Sequence, residues 1–344
     1  MVRVVQITDG TTRRVALVDE PHLRLLDAAV IGRGSGHRLD SVYALAQAAM
    51  ASDLPLSTLV TNAARGEPLA YDDVYEGRSA WRVLPPIDHP EEPARCLVTG
   101  TGLTHIGSAR NRSAMHDAAT AEALTDSMRM FQAGLEGGRP EPGTIGVAPE
   151  WFYKGTGSVL RAHGEPLVVP PYAEDGGEEA EIAGIYVIDP AGQPRRVGMA
   201  VGNEFSDHRY ERRNYLHLAG SKLRTCALGP ELAIDPAFDA VPGEAWIERG
   251  GSRVWTKAIA SGDREMSHTV GNIEHHHFKY EGHRRPGDVH VHYFGAHSLS
   301  FGDGVALADG DVMVIRFDGF GRALRNPLCV ERPGAQLVTA PSLG

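Results

Sequence analysis

Beyond Gly143 the chain is cut into short β-rich runs. "GIYVID", "VGMAVG", "ELAID", "EAWIERG", "SRVWTKAI", "GDVHVHYFG" and "GDVMVIRFDGFG" follow one another, punctuated by glycine and proline. Strands so closely spaced leave no room for the alternating helices of a parallel α/β sheet. The pattern predicts an α+β protein built on a mixed, rolled or barrel-like sheet. Glycine is abundant, at 40 of 344 residues, as tight corners between short strands require.

The first part of the chain differs. "VRVVQIT" and "RRVALV" read as strands joined by the turn "DGTT". "SVYALAQAAMAS" reads as a helix capped by Ser41, with Val42, Leu45, Ala46 and Met50 on one side. The proline-rich stretch "LPPIDHPEEP" at 84–93 is the best boundary, so residues 1–90 are expected to form a small N-terminal α/β domain and 91–344 the larger one. After the boundary, "RCLVTGTG" reads as a strand running into a glycine-rich turn. A helix is expected over roughly 112–134, its apolar side made by Met115, Ala119, Met128 and Phe131, and stopped by Gly137 and Gly138.

Net charge is -10, and the basic runs "RYERR" and "GHRRPG" are short and mixed with other residues, so no broad basic face exists for nucleic acid. Three cysteines without a CxxC spacing suit a reducing compartment rather than a disulfide framework or a thiolate zinc site. The start "MVRVVQITDG" lacks the apolar core of a signal peptide, and no run of 18 apolar residues suggests a membrane span. A cytoplasmic protein acting on a small molecule is the expectation. Neither "GTGLTHIG" nor "YKGTGSV" carries a nucleotide-loop pattern, and no GxSxG or HExxH motif occurs.

The segment "GGEEAEIAG" poses an electrostatic problem. Glu179 and Glu181 are two apart at the start of an apolar strand, so their side chains share a face about 7 Å apart at Cα. Two carboxylates on one face repel, and burial strengthens the repulsion. Either water solvates them or something positive lies between them. A second strand ends in a further cluster, Asn203, Glu204, Asp207 and His208. If the two strands pair, Glu204 completes an all-oxygen site suited to Mg²⁺, Mn²⁺ or Ca²⁺ rather than zinc. Glu178 points to the other face and is not expected to take part.

Other residues invite chemistry. Lys222, after small residues and before an apolar strand, suits a base or a charge that holds a developing enolate. Glu150, Tyr153 and Lys154 cluster in "APEWFYKGTGSVL". In "IEHHHFKY", His275 and His277 would share a face of a strand, without a third ligand; exposed histidines are the plainer expectation. His290 and His292 alternate with valines in "GDVHVHYFG", so one of them is a candidate to line a cavity.

Taken in order, "GLTHIGSARN", "PEWFYKG", "EEAEIAG", "GNEFSDH", "SKLRTCALGP", "PGDVHVHYFG" and "FGRALRNPL" resemble the fumarylacetoacetate hydrolase family over roughly residues 95–330. The resemblance implies a mixed β-roll catalytic domain, a smaller N-terminal domain, a homodimer and a Mg²⁺ or Mn²⁺ ion. On matching positions it implies metal ligands Glu179, Glu181 and Glu204, the last a Glu where the family usually has Asp, and a site lysine at Lys222. Two departures are specific. Ser108 and Asn111 stand where family hydrolases carry a water-activating His and Glu, and His208 stands where they carry an arginine. The chain is more similar to the branch that dehydrates 2-keto-3-deoxy sugar acids. A dehydration needs no activated water: a base removes a C3 proton from the metal-chelated 2-keto acid, and an acid helps the C4 hydroxyl leave. Lys222 is expected at the first step and His105, His208 or His292 at the second, with Ser108, Lys154, Asn203 and Glu211 contacting substrate. An acylpyruvate-type hydrolase or decarboxylase, or a non-catalytic 2-keto-acid-binding protein, is the alternative.

Overall fold

A computed structural model describes residues 1–27, 40–107, 125–332, 334 and 336–344. Two mixed sheets organise them. The larger has 13 strands among the described residues, and its central path runs Val2–Thr8, Leu232–Ile234, Pro194–Asn203, Ala180–Ile188, Val289–Tyr293, Cys96–Gly100 and Phe152–Thr156. The smaller has five, in the order Ser252–Ser261, Val241–Arg249, Val312–Phe317, Leu324–Val330 and Leu167–Val169. Antiparallel and parallel pairs mix: Val289–Tyr293 runs parallel to Cys96–Gly100 and antiparallel to Ala180–Ile188. The expected mixed sheet of short strands is what the chain forms.

Ala180–Ile188 lies in the middle, and all nine of its residues are buried. A strand covered on both faces needs a near-continuous apolar run, which "IAGIYVI" supplies. Ala183, Ile185 and Val187 face one apolar core, with Val291, Tyr293 and the helix Val42–Ser52. Ala180 and Ile182 face a second core, shared with Met313 and Ile315 of the smaller sheet. The helix Val42–Ser52 starts where expected, its Ala44 N–H donating to the Ser41 hydroxyl. It buries Val42, Leu45 and Ala46, with Ala48 in the buried set and Met50 only partly covered.

The N-terminal strands are continuous with the larger sheet, Val2 pairing with Ile234 and Val4 with Leu232. The helix expected over 112–134 is described as Asp126–Gly137, capped by Thr125 and ending at Gly138; Phe131 and Met128 pack on Leu103. Its first part, with Met115 and Ala119, lies outside the described residues. "IEHHHF" is not a strand but part of a helix, Val270–Phe278, capped by the Thr269 hydroxyl. That changes which histidine is inside: His277 is buried, against the expectation of exposure. No helix among the described residues is long and apolar enough to cross a membrane.

Candidate metal centre

Two strand ends make the centre. Ala180–Ile188 and Pro194–Asn203 pair antiparallel with Glu181 opposite Gly202 and Ala180 opposite Asn203. Just past the ladder the Glu204 N–H donates to the Glu179 carbonyl, which sets the third acid beside the first. One carboxylate oxygen each from Glu179, Glu181 and Glu204 lies within 4.8 Å of the others, and all three residues are buried. The donor set is hard oxygen alone, which fits Mg²⁺, Mn²⁺ or Ca²⁺ and not a thiophilic ion.

Small residues leave room for this convergence. A Cβ on Gly202, opposite Glu181, would stand 2.4 Å from the Tyr293 ring. Gly295, at φ +100, turns its N–H to the Glu181 Oε2 at 2.7 Å. A side chain at Gly295 would be strained by its backbone and would collide with the Thr104 hydroxyl. Glu178 is absent from the cluster, as the strand's alternation implies: its two oxygens accept from the Ser300 N–H and hydroxyl, each at 2.6 Å.

Positive groups answer the acids. Lys222 Nζ is 2.5 Å from Glu179 Oε1 and 2.5 Å from Glu204 Oε2, and it donates to the Ser206 hydroxyl at 2.9 Å. Lys154 Nζ pairs with Glu204 Oε1 at 2.6 Å and donates to the Phe205 carbonyl at 2.7 Å. His208 Nε2 lies 3.2 Å from Glu179 Oε1. Burial works against charge on all three acids, but the outcomes differ. The Lys222 ammonium and His208 hold Glu179 well below the usual carboxylate range. Burial, with the charges of Glu204 and Glu179 adding to it, pushes Glu181 well above that range. Glu204 is raised, by burial and Glu179, against the pull of the two lysines. A bound cation would act against that rise, because its charge favours the ionised carboxylate.

The histidine candidates separate. His208 is buried against Phe301, with ring centroids 5.2 Å apart; burial opposes its charge, yet the Glu179 carboxylate keeps its pKa above the ordinary value. Among the described residues its Nδ1 has no hydrogen-bond partner. His105 is buried beside Thr104, whose hydroxyl donates to the Phe294 carbonyl and so accepts from His105 Nδ1 at 2.9 Å. Burial, then His297, pulls its pKa down to about 3, so it is neutral with Nε2 as its basic nitrogen. His292 does not reach the centre. It pairs opposite Gly184, while Glu181 shares the other face with Ala183 and Tyr293. Its two ring nitrogens are taken by the Thr99 and Thr101 hydroxyls at 2.7 Å each.

Of the four residues expected to contact substrate, Ser108 lies outside the described residues, as does Asn111. The other three are tied into the frame of the centre. Lys154 is bound to Glu204. Asn203 Oδ1 accepts from the Glu179 N–H at 3.2 Å. Glu211 accepts from the Ser221 hydroxyl at 2.5 Å and stands 3.6 Å from Lys222 Nζ. Glu150 is buried and accepts from the Tyr215 hydroxyl at 2.6 Å. Sequence reading passed over Ser206, Ser221 and Gly295. Ser206 and Ser221 were visible as small polar neighbours of Glu204 and Lys222, while Gly295 gave no signal beyond ending a strand.

No protein-family model and no curated protein matches the chain. Solved structures do. A hexagonal crystal form of 2-keto-3-deoxyarabinonate dehydratase is 18% identical, with TM-score 0.69, over 96% of this chain and 100% of that one. A 2-keto-3-deoxy-D-arabinonate dehydratase complexed with magnesium and 2,5-dioxopentanoate is 19% identical, with TM-score 0.67 and the same coverage. A 2-hydroxyhepta-2,4-diene-1,7-dioate isomerase from Mycobacterium marinum is 16% identical, with TM-score 0.56, over 96% of this chain and 99% of that one. Over nearly its whole length, therefore, the chain has the fold of these dehydratase and isomerase structures, the α+β fold that the resemblance to the fumarylacetoacetate hydrolase family implied.

Proposed function

We propose that the protein is a metal-dependent dehydratase, a hydro-lyase, of a 2-keto-3-deoxy sugar acid such as a 2-keto-3-deoxypentonate. The observation that carries the reading is the buried convergence of Glu179, Glu181 and Glu204 with Lys222 bonded to two of them. The like-folded dehydratase with magnesium and 2,5-dioxopentanoate supports the reaction class.

Glu179, Glu181 and Glu204 would hold the ion, Mg²⁺ before Mn²⁺, and the ion would polarise a 2-keto carbonyl and acidify the neighbouring C3–H. Lys222 would hold the charge that develops at that carbon or remove its proton. His208, whose charged form Glu179 favours, is the candidate to protonate the departing C4 hydroxyl, so that one proton from C3 and the hydroxyl leave together as water; His105, neutral with its Nδ1–H on Thr104, has no proton on Nε2 to give. Lys154 and Asn203 keep Glu204 and the Glu179 backbone in place. Within the same proposal the protein is a cytoplasmic homodimer in sugar-acid catabolism. Its free thiols, Cys96, Cys226 and Cys329, accord with a reducing compartment.

Product analysis with purified protein, Mg²⁺ and 2-keto-3-deoxypentonates of each configuration tests the reading. The expected product keeps all its carbons and has lost one water. Two fragments from an acylpyruvate, with no turnover of any pentonate, would replace the dehydratase by the hydrolase.

A further inference from the structure

Lys222 raises a question of donor accounting. An ammonium has three N–H donors. Here the carboxylates of Glu179 and Glu204 take two and the Ser206 hydroxyl takes the third. A lysine so engaged has no donor left for a substrate oxygen. The two carboxylates are also two of the three ligands that a divalent cation would need. The ammonium and the ion therefore compete for the same two carboxylates.

The surroundings provide a second berth. Glu211 Oε1 is 3.6 Å from Nζ, and its carboxylate is held in position by the Ser221 hydroxyl. The Phe152 ring lies 4.8 Å from Nζ, and its face attracts a cation. Resting on the metal-centre reading above, we infer that binding of a divalent cation displaces the Lys222 ammonium from Glu179 and Glu204 toward Glu211, and that this displacement frees the lysine's donors for substrate. Lys222 is then a positioning link between ion and substrate as well as a site residue, and Glu211 is its counter-charge rather than a substrate contact.

Mn²⁺ titration of the full chain, followed by calorimetry and by the electron-spin signal of the free ion, tests this without any turnover. Lys222→Gln removes the competitor and is expected to tighten Mn²⁺ binding by at least about tenfold, since a like charge beside the ion is lost. Glu211→Gln is expected to weaken binding at least about threefold with Lys222 present, and by less in the Lys222→Gln background, because the two residues act through one contact. Unchanged or weaker binding by Lys222→Gln overturns the displacement; if Glu181→Gln still abolishes binding, the metal centre itself stands. Full Mn²⁺ affinity in Glu181→Gln removes the metal centre and the displacement with it. Should Lys222→Gln not fold, a crystal structure of the unsubstituted protein with Mn²⁺ decides. Nζ beyond hydrogen-bond distance of Glu179 and Glu204 supports the inference, and Nζ still bridging them overturns it.

Discussion

Three neighbouring acids, Glu178, Glu179 and Glu181, have the same chemistry and different environments. Glu178 satisfies both its oxygens on Ser300, whereas Glu179 and Glu181 turn toward Glu204. The alternation of a strand accounts for the split, and it was legible from spacing alone. A paired substitution exploits it. Glu178→Gln keeps the shape but loses part of a charged hydrogen-bond pair, at a cost of about 1–3 kcal/mol in stability, and leaves Mg²⁺ binding intact. Glu181→Gln removes a ligand oxygen's charge and is expected to lose Mg²⁺ binding. Because Glu181 is the acid that burial and its neighbours push upward, its amide variant should not destabilise the metal-free fold. Thermal melts with and without Mg²⁺ read both effects. A Glu178→Gln protein that no longer gains stability from Mg²⁺ would show the strand's register to be misread.

At the scale of elements, the centre depends on a strand end held from the side. Asn203 is the last residue of its strand, and its amide joins the Glu179 backbone to Met313 of the smaller sheet. Asn203→Ala leaves the buried Glu179 N–H without that acceptor. The expected loss is about 1–3 kcal/mol in urea unfolding, together with weaker Mg²⁺ binding, because Glu179 loses its fixed direction. An unchanged urea midpoint would mean the bond contributes nothing. The contact also marks the limit of what spacing reveals. That Glu179, Glu181 and Glu204 meet follows from an E-x-E strand beside a second strand, a local pattern. That Lys154 reaches Glu204 from 50 residues earlier, or that Asn203 reaches across to Met313, depends on how the sheets stack, which no local pattern encodes. "HHHF" is the opposite failure. Histidine favours neither strand nor helix, and the Thr269 hydroxyl that starts the helix sits four residues upstream of the segment on which the strand reading rested.

Burial of histidine gives the whole molecule an acid response. His292 sits in the interior between Thr99 and Thr101, on the face of the sheet away from the acids, with His277 at a ring distance of 4.5 Å. Burial, with His290 and His283 adding repulsion, pulls its pKa down to about 3. In the unfolded chain a histidine titrates at about 6.5. Between these values the unfolded state binds the proton and the folded state does not, so His292 costs stability as pH falls below 6.5 and has no such effect above it. Buried acids with raised pKa values, such as Glu178, act in the opposite sense, so the net acid limb does not isolate one residue. A difference does. His292→Gln keeps a polar side chain between the threonines and cannot titrate. At pH 7.5 it should be the less stable protein, having lost a fitted ring and its two hydroxyl contacts. As pH falls to 5, the gap to the unsubstituted protein should close by about 2 kcal/mol, the linkage expected of one histidine held neutral 1.5 units below its free pKa. Urea unfolding at pH 7.5, 6.5, 5.75 and 5 measures it. A gap that stays constant across this range would mean His292 is protonated in the fold, and the neutral histidine face of the sheet would have to be redrawn.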